Sequence, residues 1–182
     1  MQRGKADFGL LLVGMLWGLG FVFVKIGLNE GITPFYLLTI RFLVAFIILF
    51  VIFRSRLKNI EKSDLKNGFI IATFLFLGFA FQISGAALTT ASNNAFFTAI
   101  NVIIVPYIFW AIHKHVPNIF SFIAAGLCIL GVGILSFDSK MQLNQLNEGD
   151  ILTIISALFF AFHIAFTGFL STKSEPIKLN VI

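Results

Sequence analysis

The sequence predicts an all-α polytopic membrane protein in which a five-span repeat is followed by the first span of an inverted second repeat. Hydrophobic residues make up 58% of the chain and charged residues only 12%, and the mean hydropathy is +0.97. Soluble domains average about 25% charged residues and cannot bury so much apolar surface. The apolar residues form six runs long enough to cross a bilayer, and the sixth run repeats the pattern of the first.

Each predicted span is an apolar run bounded by polar residues. The first carries no charge before Lys25, and its length of about 31 Å matches the hydrocarbon core of a bilayer. Pro34 opens the second span, because a proline in the first helical turn loses no hydrogen bond. Pro106 is predicted to kink the fourth span. The predicted spans are residues 8–28, 34–53, 67–88, 91–112, 118–137 and 151–171.

An internal repeat relates the sixth span to the first. An offset of 143 residues aligns them without a gap, with small residues on small residues and aromatic residues on aromatic residues. The aligned pairs include Asp150 on Asp7, Ala157 on Gly14, Phe160 on Trp17 and Ala161 on Gly18. Because the first copy holds an odd number of spans, the second copy inserts upside down, which is a common build of secondary transporters.

The repeat divides the chain into three predicted parts. These are a first repeat at residues 1–137, an external connector at 138–150 and the start of a second repeat at 151–182. Four spans of the second copy are expected to be missing, and such a truncated chain is not expected to transport alone, since alternating access needs both repeats. Part of the small-residue face of the sixth span is then expected to lack a partner. That face comprises Ala157, Ala161, Ala165 and Gly168.

The basic residues predict the orientation. With a cytoplasmic N-terminus, ten of the thirteen Lys and Arg residues fall in inner segments and only Lys140 falls in an outer one. Because Lys and Arg accumulate on the cytoplasmic side, we predict a multi-pass protein of the cell (plasma or inner) membrane with its N-terminus inside.

Single cysteines in the loops test this orientation. In a Cys128→Ala background, which removes the one native cysteine, an impermeant thiol reagent is expected to label the loop at 138–150 in intact cells. The loops at 54–66 and 113–117 are expected to react only after the cells are opened. Labelling of the 54–66 loop but not the 138–150 loop in intact cells would reverse the orientation.

Four stretches carry a resemblance to a known family. They are LWGLGFVFVKIGL with Pro34 and Arg41 following, LTTASNNAFFTAINVIIVPYIF, AAGLCILGVGIL and GDILTIISALFFAFHIAF. In their order and span layout they resemble the EamA-like members of the drug/metabolite transporter superfamily. The resemblance implies ten spans in two inverted repeats around a central cavity, and efflux or uptake of amino-acid or drug-like metabolites by alternating access. One departure is that His113, Lys114 and His115 stand where many members have an acidic residue.

The polar residues inside the spans are the candidate substrate-binding residues. Asn94, Thr98 and Asn101 share one helical face, and buried amides must be paired, so this face meets other helices or a wet cavity. The sequence leaves two roles open for this face, namely hydrogen bonding between helices and lining a cavity. Arg41 either has a buried structural partner or binds an anionic group of the substrate. Lys25 is expected to reach the headgroups or Glu30. The remaining candidates are Trp17, Gln82 and His163.

The sequence holds no sign of catalysis. It contains no HExxH, CxxC or Walker motif, and every Asp and Glu lies outside the predicted spans. We therefore predict no enzyme activity, no catalytic residue, no metal and no cofactor. The expected partners are the lipid bilayer and a small molecule, in one interpretation bearing a carboxylate, and not nucleic acid. The alternative function is a membrane scaffold or a self-associating half-transporter.

Overall fold

The structure is a computed structural model that describes residues 2–55, 57, 60–114, 118–135, 146–172 and 174–181. All regular structure within these ranges is helical, which confirms the all-α prediction. The helices are α1 (Gln2–Asn29), α2 (Pro34–Phe53), α3 (Lys62–Leu88), α4 (Ala91–Ala99), α5 (Asn101–His113), α6 (Ile119–Leu135), α7 (Glu148–Leu170) and α8 (Pro176–Val181).

Five helical segments of the described chain are long and apolar enough to cross a membrane. They are the part of α1 at Asp7–Asn29, then α2, α3, the pair α4–α5 and α7. Helix α6 has 17 residues as far as it is described. The last two residues of the predicted fifth span and positions 138–145 of the predicted connector lie outside the described residues.

The fourth span divides at Ile100, while the kink at Pro106 stays a prediction. The Ile100 N–H donates to the Phe97 oxygen at 3.3 Å, and the Ile103 N–H donates to the Ile100 oxygen at 2.9 Å. Both bonds have the three-residue spacing of a 3₁₀ turn. Pro106 stays inside α5. Pro106 cannot bond to the Val102 carbonyl, and the break at Ile100 lies two residues before that carbonyl.

Helices α3 and α7 form the closest backbone contact of the described chain. A Cβ at Gly85 would lie 2.6 Å from the Gly149 oxygen, and a Cβ at Gly149 would lie 2.7 Å from the Gly85 oxygen. One turn further along α7, Thr153 is fully buried. Glycine is required at this crossing because any side chain would push the two helices apart.

Most of the small-residue face of α7 is covered, and of its four residues only Gly168 is exposed, so the expectation that part of it would lack a partner is wrong for the three alanines. Ala157, Ala161 and Ala165 are 0% exposed, and a Cβ at Gly168 would lie 2.6 Å from Cζ of Phe109. Helices α3 and α5 supply the packing surface. The counterparts of this face in α1 differ, because a Cβ at Gly14 or Gly18 would have no other described atom within 4 Å.

A buried carboxylate fixes the N-terminal end of α7. Asp150 is 2% exposed. Its oxygens accept from Thr89 Oγ1 at 2.6 Å, from the Asn147 N–H at 3.1 Å and from Asn93 Nδ2 at 3.4 Å. The Asn147 side chain accepts in return from the Asp150 N–H, which completes a capping box. This carboxylate therefore ties the turn between α3 and α4 to the start of α7.

Asp150→Ala tests the importance of this contact, and its repeat counterpart Asp7 offers a matched control. We expect Asp150→Ala to lower the free energy of unfolding by about 1–3 kcal/mol, since three donors lose their acceptor and α7 loses part of its cap. Asp7 is exposed, so Asp7→Ala should change stability by less than about 0.5 kcal/mol. Unfolding in mixed detergent micelles measures both changes, and equal effects would contradict the structural role of Asp150.

Helix α8 closes the opposite end of the bundle. Lys178 Nζ lies 3.6 Å from Asp64 Oδ2 at the start of α3, and Asn67 Nδ2 donates to Ser174 Oγ at 3.1 Å. Leu179 is buried with Ile71. These contacts hold α8 against the beginning of α3.

Candidate functional site

A cleft lies between α1, α2, α3 and α4, at the end of the bundle that the loop charges predict to be external. We name it the outer cleft. Four of the seven predicted site residues line it, namely Trp17, Arg41, Gln82 and Asn94. Gly20, Phe21, Val24, Ile83 and Ala86 complete its lining. The cavity volume is about 10 Å³, which is room for one water molecule.

Helical periodicity explains which residues face the cleft. On α1, Trp17, Gly20, Phe21 and Val24 follow one another at three- and four-residue steps, so they share one face. Gly20 carries no side chain and leaves the space open beside the Trp17 indole. The wall from α1 is therefore aromatic and apolar, and the polar groups come from the other three helices.

Arg41 contributes a cation to the outer cleft. Its guanidinium lies over the Phe79 ring, with 4.8 Å between Cζ and the ring centroid. Within the described ranges, no carboxylate lies within 4 Å of this guanidinium and it donates no hydrogen bond. A guanidinium offers five donors. Arg41 thus has the capacity to bind an anion in the cleft.

Lys25 stands beside the same cleft. Its ammonium donates to the Ala86 carbonyl oxygen at 2.8 Å, a structural contact that takes the place of the expected one with Glu30. Ala86 lies in the last turn of α3, where carbonyl groups have no partner within the helix and the helix dipole is negative. Lys25 therefore caps α3 and joins it to α1.

A hydrogen-bond network ties the polar wall of the cleft together. Asn94 Nδ2 donates to the backbone carbonyl oxygen of Gln82 at 3.0 Å and to Thr153 Oγ1 at 2.8 Å. Gln82 Nε2 donates to Thr98 Oγ1 at 3.1 Å, and Thr98 Oγ1 donates to the backbone carbonyl oxygen of Asn94 at 2.7 Å. Asn94 thus does both things that the sequence left open for its face: it joins α4 to α3 and α7, and it lines a cavity.

Three predicted site residues lie away from the outer cleft. Thr98 is buried behind Gln82, and Asn101 begins α5 with a side chain that is 6% exposed. His163 is on α7, with Nδ1 at 3.1 Å from the Ile71 oxygen. It lines a separate cavity of about 310 Å³, together with Leu75 and Asn180. We name this the inner cavity.

A third cavity, which we name the connecting cavity, lies between the two spaces along α2 and α3. Its volume is about 200 Å³, and its lining includes Arg41, Phe42, Ala45, Leu75 and Phe79. It shares Arg41 with the outer cleft and shares Phe42, Ala45 and Leu75 with the inner cavity. The three cavities therefore follow one another from the Arg41 end to the His163 end, and we name this row the groove.

Two residues of the site were missed from the sequence. Thr153 accepts the hydrogen bond from Asn94 and is 0% exposed. It lies one helical turn before Ala157, so the small-residue face of the sixth span contained a signal for it. The Phe79 ring contacts the Arg41 guanidinium. The chain has 24 phenylalanines, and the sequence around Phe79 does not distinguish it from the others.

Comparison with known proteins places the chain in a family. Residues 4–137 match the EamA-like transporter family. An uncharacterized transporter from Archaeoglobus fulgidus is 36% identical over 179 residues, covering 98% of this chain and 54% of that protein. A second uncharacterized transporter from this organism is 29% identical over 171 residues, covering 89% of this chain and 57% of that protein. The chain thus spans about half the length of these relatives.

No solved structure matches the chain. The family match covers most of the sequence, and the described helices are those of a multi-pass membrane protein. The chain belongs to the EamA-like transporter family.

Proposed function

We propose that the protein takes part in moving a small carboxylate-bearing metabolite across the cell membrane, and that the outer cleft binds the carboxylate. One observation carries this proposal. The Arg41 guanidinium lines the cleft with an aromatic ring as its partner and, within the described ranges, without a carboxylate in reach. A planar guanidinium binds a carboxylate through two parallel hydrogen bonds.

The other walls of the cleft suit an amino acid or a similar metabolite. Trp17 and Phe21 offer apolar and aromatic surface for the body of such a molecule. Both contacts of Asn94 Nδ2 are already made, which leaves its Oδ1 as an acceptor for a substrate ammonium. The combination of a cation, an apolar wall and an acceptor matches a molecule that carries a carboxylate, an apolar side chain and an amine.

The mechanism we propose is alternating access between inverted repeats. A cavity of about 10 Å³ holds no metabolite, so the helices around it must separate when substrate binds. The chain spans about half the length of its relatives, and we propose that the complete site lies between two such halves. We also propose that the N-terminus is cytoplasmic and that the protein is not an enzyme.

A comparison of acids with their amides tests the substrate class. We expect vesicles from cells that express the gene product carrying this sequence to exchange a labelled apolar amino acid, such as phenylalanine. Phenylalaninamide keeps the ring and the amine but lacks the carboxylate, so it should not compete for exchange. Equal competition by the acid and the amide, across a panel of apolar amino acids, would show that the cleft does not recognise a carboxylate.

A self-associating half-transporter is the second candidate, and the open face of α1 favours it. Gly14 and Gly18 present a surface suited to close helix packing, with no other described atom near it. Single cysteines at these positions, in the Cys128→Ala background, should then give a disulfide-linked dimer in membranes. Monomers under oxidising conditions, at a level where other single-cysteine dimers form, would exclude association through this face.

A further inference from the structure

Resting on the proposed function, we infer that Phe79 positions Arg41 in the outer cleft and that Phe42, Phe79 and Phe160 close the groove between the outer cleft and the inner cavity. We name these three rings the aromatic gate. The gate is held shut by the contact between the Arg41 guanidinium and the Phe79 ring.

The three rings form a chain across three helices. The Phe79 ring on α3 meets the Phe42 ring on α2 with 5.6 Å between centroids, and it meets the Phe160 ring on α7 at 5.0 Å. Both pairs have interplanar angles of 86°, the edge-to-face geometry that aromatic rings prefer. Phe79 is therefore the central member of the gate.

Phe160 has little freedom to move. It is 2% exposed, and a Cβ at Gly78 would lie 2.8 Å from its Cδ1. The ring thus rests directly on the backbone of α3. Because one side of Phe79 meets this fixed ring, the movable side of the gate is the one toward Arg41 and Phe42.

The gate lies where the cavities meet. Arg41 lines both the outer cleft and the connecting cavity, and Phe42 lines both the connecting cavity and the inner cavity. Phe79 lines the connecting cavity. We therefore place the constriction of the groove at the contact between the Phe42 and Phe79 rings, because an apolar constriction of this kind stops polar solutes and water.

Arg41 connects this constriction to anion binding. In the described chain its guanidinium has the Phe79 ring as its partner. A carboxylate binds the same guanidinium through charge-assisted hydrogen bonds, which the ring cannot offer. A bound anion would therefore draw Arg41 away from Phe79 and remove the contact that holds the ring in place.

Thiol labelling tests the gate without a substrate. Ala72 lines the inner cavity and is only partly exposed, so we place one cysteine there in the Cys128→Ala background. The probes are two impermeant methanethiosulfonates, one anionic and one cationic, added outside intact cells. We expect Phe79→Leu to speed labelling by both probes by about tenfold, the order expected when one cation–π contact is lost. Phe79→Tyr keeps a ring and should restore the slow rate.

Further variants separate the gate from a general loosening of the helices. Phe69→Leu is the matched control, because Phe69 is also on α3 but is 72% exposed and outside the gate; it should leave labelling unchanged. Arg41→Gln should speed labelling as Phe79→Leu does, and Arg41→Lys should not. Phe42→Leu provides the same test if Phe79→Leu does not reach the membrane.

An unchanged rate in Phe79→Leu, or in Phe42→Leu where that variant replaces it, would overturn the gate. Equal acceleration by Phe69→Leu would do the same. Since labelling needs no substrate, these outcomes are independent of the acid and amide comparison. If the acid and the amide compete equally but Phe79→Leu still speeds labelling, the substrate class is rejected and the gate is retained.

Discussion

Arg41→Gln is expected to reduce transport of carboxylate-bearing metabolites by about a hundredfold, because it removes charge-assisted hydrogen bonds with a net strength on the order of 1.5–3 kcal/mol. The variant should still insert and accumulate normally. In the described chain the guanidinium has one aromatic contact and no carboxylate partner, so its loss leaves no buried charge unpaired. Initial rates of exchange, divided by the amount of protein in the membrane, measure the effect.

Two further variants separate the roles of charge and geometry. Arg41→Lys keeps the charge but not the planar fork, so an intermediate rate is expected. Lys25→Gln should reduce transport less than Arg41→Gln, because the Lys25 ammonium already bonds to the Ala86 carbonyl. Disappearance of Arg41→Gln from the membrane, with a normal rate for each remaining molecule, would make Arg41 a structural residue.

Gly85→Ala is expected to separate α3 from α7 and to lower the free energy of unfolding by about 1–3 kcal/mol, as overpacked sites do. The added methyl would lie 2.5 Å from Thr153 Oγ1 and 2.6 Å from the Gly149 oxygen. Backbone atoms cannot rotate away as a flexible side chain can. Since Thr153 accepts the hydrogen bond from Asn94, the polar wall of the outer cleft should be disturbed as well.

Gly126→Ala in α6 is the matched control for this change. A Cβ at Gly126 would have no other described atom within 4 Å, so the substitution should not reduce stability. The two variants are compared by unfolding the purified proteins in increasing concentrations of a denaturing detergent. Tryptophan fluorescence follows the unfolding. Similar midpoints for Gly85→Ala and Gly126→Ala would show that α3 and α7 are not in close backbone contact.

Much of the helical layout could be predicted because its causes are local. Uninterrupted apolar runs give membrane-spanning helices, and Pro34 marks where α2 begins. The burial of Asn94 and Thr98 follows from the cost of an unpaired amide in hydrocarbon. Such residues are forced onto protein-facing surfaces whatever the partner is, so periodicity alone was enough to indicate their side of the helix.

The rest depended on contacts between distant parts of the chain. The Phe79 ring meets Arg41 and Phe160 only because three helices come together. Lys25 bonds to a backbone carbonyl 61 residues away, and a carbonyl carries no signal in the sequence. The partner of α7 was likewise hidden, since Gly85 and Gly149 show how closely two helices can approach but not which two do so.

The contact between Gly85 and Gly149 also sets a time scale for synthesis. These residues are 64 positions apart, so at about 5–20 residues per second α3 waits roughly 3–13 s for α7. Lipid can cover a glycine surface during this wait, because the helix satisfies its own backbone groups. An unpaired Gln82 amide costs free energy in hydrocarbon, and its partner Thr98 follows only 16 positions later. The contact between Gln82 and Thr98 is thus completed within about 1–3 s, well before the glycine surface is closed.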